Sequence, residues 1–104
     1  MSKQTPAYLN PKLSVEDRVQ DLLSRMTLEE KVGQITMWDA RDEDLSFINT
    51  RFPGSILHIL GEKLNRAMDL AAQNRLAIPL IVGEDAIHGH SFWKGANIFP
   101  TQLA

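Results

Sequence analysis

The chain has 104 residues, which bounds it to one domain at the small end of what buries a self-sufficient core. An apolar fraction of 43% beside 23% charged residues matches an ordinary globular protein, so a disordered or fibrous class is excluded. The 11 basic and 13 acidic residues are scattered without a basic stripe for nucleic acid, and the lack of cysteine excludes a disulfide framework and thiolate chemistry.

Residues 1–13 read as an extended lead-in, because Pro6 and Pro11 oppose regular structure. The first ten residues lack the apolar core of a secretory signal, and no apolar run approaches the ~20 residues that span a bilayer. As written the chain is expected in the cytoplasm with no membrane partner, unless a leader has been removed. Ser14-Val15-Glu16-Asp17 has the form of a capping box, and Val19, Leu22, Leu23 and Met26 come next on one helical face. Thr27-Leu28-Glu29-Glu30 repeats the box, so a second short helix is expected, with Leu28, Val32 and Ile35 as its buried face.

From Trp38 to Phe47 the chain is acidic and aperiodic, which predicts a solvated loop or a short turn of helix. Phe52-Pro53-Gly54 signals a turn. Ser55 to Leu60 is a near-continuous apolar run, read as a strand buried on both faces and ended by Gly61. His58 inside that run is expected to be a hydrogen-bonded core histidine. Leu64, Ala67, Met68 and Ala71 restore helical spacing, and that helix should run to about Leu76. Pro79 disfavours helix at Ile78, so residues 78–82 form the next strand, again doubly buried. Strand, helix and strand with short connections make a βαβ unit and imply a parallel sheet.

Chemistry concentrates after the second strand, in Gly83-Glu84-Asp85-Ala86-Ile87-His88-Gly89-His90. In α/β proteins, ligands are held by polar groups at the carboxyl ends of parallel strands. Paired carboxylates suggest glycosidic cleavage, but neighbours on a strand point to opposite faces, so at most one of Glu84 and Asp85 should face a pocket. His88, His90 and Asp85 have the ligand chemistry for a metal, yet no further ligand cluster exists, and no metal or other cofactor is expected. Ser91 lacks a nucleophile-elbow context, and no phosphate-cradling glycine motif is present. Trp38 and Trp93 suit either stacking on sugar rings or packing at a rim with the indole N–H bonded. Thr101 reads as the cap of a helix cut off three residues later.

Three blocks, RVQDLLSRMTLEEKVGQ (18–34), PGSILHIL (53–60) and IPLIVGEDAIHGHSFWKGANIFPTQL (78–103), together resemble the start of the catalytic barrel of glycoside hydrolase family 3. The resemblance covers roughly residues 8–104 in order and spacing, with D-A-I-H-G-H followed by F-P-T its most specific part. It implies an α/β fold, namely an incomplete (β/α)8-type barrel whose first βα units are preceded by two short capped helices. Residues 14–104 would be the amino-terminal portion of that barrel domain, truncated at the carboxyl end. The implied activity is hydrolysis of O-glycosyl bonds by a retaining, exo-acting β-glucosidase on a β-linked glucoside or oligosaccharide. The family's sugar-binding aspartate falls on Asp85, which would hold hydroxyls of the terminal glucose. Glu84 takes the variable position beside it and should point away. His88, His90 and Trp93 receive supporting or structural roles. The family's nucleophile, its acid/base and the Arg and Lys-His pair have no counterpart here. No catalytic residue is therefore assigned, and the chain alone is expected to be inactive without the remainder of its barrel. The alternative is a non-catalytic fragment that binds carbohydrate or a partner.

Overall fold

Both amino-terminal helices begin where a hydroxyl side chain takes over an otherwise unpaired amide. The computed structural model describes residues 5–41 and 44–100, so the helix start expected at Thr101 lies outside the described residues. Helix α1 spans Val15–Arg25, with Ser14 Oγ accepting the Asp17 amide at 3.1 Å. Helix α2 spans Leu28–Gln34 and has the full reciprocal box: Thr27 Oγ1 accepts the Glu30 amide, and Glu30 Oε2 accepts the Thr27 amide. Ahead of them the lead-in is not wholly extended. Ala7–Leu9 form a 3₁₀ turn behind Pro6, whose fixed φ suits the position before such a turn. Asp21 Oδ2 accepts the Tyr8 amide, and the Tyr8 hydroxyl donates to the Leu76 carbonyl, which ties the lead-in down.

The expected burial of α2 is reversed. Leu28, Val32 and Ile35 are 72%, 52% and 85% exposed, and the residues it buries are Glu30 and Gly33. The reason is close backbone approach. A Cβ on Gly33 would strike the carbonyl oxygens of Arg51 and Phe52, and Gly33 O accepts the Gly54 amide at 3.1 Å. Glu30 meets Arg75 on the same side. The helix therefore docks through its small and paired polar residues.

Beyond the helices come three parallel strands, in the order β1 (Met37–Asp39), β2 (Ser55–Leu57) and β3 (Ile81–Gly83). They pair without stagger: Met37, Ser55 and Ile81 lie level, as do Asp39, Leu57 and Gly83. Helix α3 (Phe47–Arg51) joins β1 to β2, and α4 (Gly61–Ala72) joins β2 to β3. Strand β1 lies where a loop was expected. Its place is set by tertiary contacts, with Trp38 stacked on Phe47 at 5.5 Å and its indole N–H donating to Thr36 Oγ1. β2 stops at Leu57, short of Leu60, and α4 starts at Gly61 and ends at Ala72, short of Leu76. β3 begins three residues later than Ile78, although Leu80 just before it is buried.

Ile48, Ile56 and Ile59 are fully enclosed and form the core with Phe47, Ala67, Ala71 and Leu80. The strands are not buried on both faces as expected. Side chains alternate along a strand, so Ile56 faces the helices while Met37, Ser55 and Ile81 face away. No described helix covers that second face, and Ile81 is 71% exposed.

Candidate functional site

Level strand ends bring four polar side chains to one edge of the sheet. Asp39 closes β1, His58 stands one residue past β2, and Glu84 and Asp85 come directly after β3. His58 is at the centre. Its Nδ1 is 3.2 Å from Asp39 Oδ2, and its Nε2 is 3.3 Å from Asp85 Oδ2 and 3.5 Å from Glu84 Oε1. The His58 ring is 10% exposed and meets Phe92 edge-on at 6.0 Å between centroids. It is thus no ordinary core histidine. The strand has ended at Leu57, and a φ of 60° at His58 puts its backbone in the left-handed region that few non-glycine residues occupy.

Asp39 is fixed from its other side by Arg41, whose Nη2 lies 2.6 Å from Oδ2 and whose amide donates to Oδ1. The Arg41 side chain and amide, aided by His58, outweigh partial burial and hold the Asp39 carboxyl well below the usual carboxylate range.

The opposite-face expectation for Glu84 and Asp85 fails, because both reach His58 Nε2. Strand geometry ends at Gly83, so the alternation that would separate the two carboxylates no longer applies. They differ instead in access: the Glu84 side chain is 15% exposed and the Asp85 side chain 71%. Glu84 Oε1 also accepts the Asp85 amide at 3.0 Å.

His88 and His90 lie in the next loop and are not drawn into this cluster. The Phe99 amide donates to the His88 carbonyl at 2.6 Å, and Gly89, at φ +100°, pairs with Ile98. A side chain at Gly89 would strike the Asn97 carbonyl oxygen, so the loop closes on itself only with glycine there. The Nδ1 atoms of His88 and His90 are enclosed and have no hydrogen-bond partner among the described residues. Trp93 is half exposed and, with Leu60, Gly61, Phe92 and Lys94, lines an open hollow of about 320 Å³. Trp38 packs under Arg51, whose guanidinium lies 5.0 Å from its ring centroid. Among the described residues no three histidine or carboxylate side chains are arranged to hold a metal ion. Asp39 and His58 are the site members that sequence reasoning missed. The available signal was a histidine standing directly after a strand, in the place Glu84 holds after the next one.

No protein-family model matches the chain. It is 33% identical over 108 residues to a protein named "Probable beta-glucosidase C" in Aspergillus oryzae, an alignment covering 81% of this chain. It is 34% identical over 101 residues to "Beta-glucosidase C" of Emericella nidulans, covering 80% of this chain. The chain spans only 17% and 16% of the lengths of those two relatives. Among solved structures it matches a β-glucosidase involved in saponin metabolism from intestinal bacteria, with a TM-score of 0.61 and 57% identity. That match covers 83% of this chain and 12% of the other.

Proposed function

Because the chain belongs to the β-glucosidase-like glycoside hydrolases, we propose that it is the opening part of a family 3 catalytic barrel whose intact enzyme releases terminal glucose from β-glucosides with retention. Three parallel strands in sequential order, each crossover carrying a helix, are how a (β/α)8 barrel begins. Barrel enzymes place their chemistry at the carboxyl ends of the strands, where Asp39, His58, Glu84 and Asp85 gather.

The observation that carries this reading is the Asp85 carboxylate, solvent-reaching at a strand's carboxyl end and steadied from behind by His58. Such a group accepts charge-assisted hydrogen bonds from sugar hydroxyls. Asp85 binds the terminal glucose, and His88, His90 and Trp93 shape the loop that borders it. Retaining hydrolysis also needs a nucleophile and an acid/base. Those groups come from the larger part of the enzyme, given how little of its relatives this chain spans, and the 104 residues alone do not hydrolyse.

In the native-length protein, Asp85→Ala should lower kcat/KM for an aryl β-glucoside by about 30- to 1000-fold, equivalent to ~2–4 kcal/mol, with melting unchanged. Glu84→Gln should cost less, since that side chain is mostly enclosed. Parental activity in Asp85→Ala would remove Asp85 from the sugar site.

A further inference from the structure

We propose that His58 is a positioning residue: it holds the Asp85 carboxylate for the sugar by bridging it to Asp39. This rests on Asp85 being the sugar ligand. Asp39, itself held by Arg41, faces one ring nitrogen at 3.2 Å, where an N–H would donate to it. The other nitrogen faces Asp85 Oδ2 at 3.3 Å and Glu84 Oε1 at 3.5 Å. A bare lone pair there would confront two acceptors, whereas an N–H would donate to them. The charged groups around the ring come from both sides. Asp39 with Arg41 stands at the end of β1, and Glu84 with Asp85 at the end of β3. Lys63 on α4 is held on the carbonyls of Ala40 and Arg41.

The backbone supplies an independent sign. A histidine held at φ 60° is strained, and strain of this kind persists where the surrounding structure demands one orientation. The nearly enclosed ring, edged by Phe92, has little room to turn. One imidazole therefore links the tips of all three strands and sets where the exposed carboxylate sits.

The test is glucose as competitive inhibitor of aryl β-glucoside hydrolysis by the native-length protein, with kcat, KM and melting read beside it. Asparagine tolerates a left-handed backbone but is too short to span both carboxylates, so His58→Asn should bind glucose about tenfold more weakly than the parent. His58→Gln, longer and with an amide N–H to donate, should recover part of that affinity. If Asp85→Ala weakens glucose while both His58 variants follow the parent, the positioning role falls and Asp85 stands. If Asp85→Ala binds glucose as the parent does, the sugar-site reading fails and this inference with it. Should His58→Asn melt early, the inhibition constant of His58→Gln decides.

Discussion

The helical pair α1–α2 and the unit running from β1 to β3 reach order by different means. Helix α1 buries no residue and α2 buries only Glu30 and Gly33, yet each has a hydroxyl cap at its start. The strand unit has no side-chain cap on either of its helices, yet it owns Ile48, Ile56 and Ile59, all enclosed. Short-range hydrogen bonds suffice to say where a helix begins. What a helix buries is settled by the neighbours the chain brings to it.

Amide exchange, which reads local opening residue by residue, can separate the two regions. The largest effect should come from Ile56→Ala at the centre of the sheet. It should lower protection of β1, β2 and β3 by about 2–5 kcal/mol and leave α1 nearly untouched. An equal fall in α1 would erase the distinction and make the molecule one cooperative unit. Next comes Thr27→Ala, which should cost α2 about 1 kcal/mol through loss of its cap.

The same helix offers a pH test. Burial pushes Glu30 upward, but the Arg75 guanidinium and the Thr27 amide outweigh it and hold the carboxyl below its ordinary 4.5. The stabilisation from Glu30 is therefore complete above that value and is lost as pH falls through the lower, folded-state value. Glu30→Gln should flatten the acid limb of α2 protection. The smallest effect is expected from Val32→Ser, within about 0.5 kcal/mol, because that side chain is half in water. A loss of several times that size would show the Leu28–Val32–Ile35 face to be covered.

Both caps were legible from the sequence because their partners stand three residues apart. The βαβ unit was legible because its apolar runs are bounded by glycine and proline. Strand β1 was not, since three residues carry no periodicity and Trp38 finds its place against Phe47 only in three dimensions. Glu84 and Asp85 were recognisable as polar groups ending a strand. Their shared approach to His58 was not, because alternation stops at Gly83 and the turn beyond it directs both side chains. Asp39 and His58 needed knowledge of which strands pair and at what register, information that neither short segment contains.

The level pairing of the three strands has a consequence for how such a site tolerates change over generations. Each strand tip is addressed by its distance from the pairing, not by its distance along the chain. The segments 40–54 and 58–80 leave and re-enter the sheet as separate insertable modules, so residues gained or lost on their outer surfaces leave the addresses intact. One residue inserted within β2 would do the opposite. It would slip the strand by half a pleat and exchange its two faces, carrying the polar tip away from its neighbours. Variation is thus cheap on the outer surfaces of the long connections and costly in three short words of sequence.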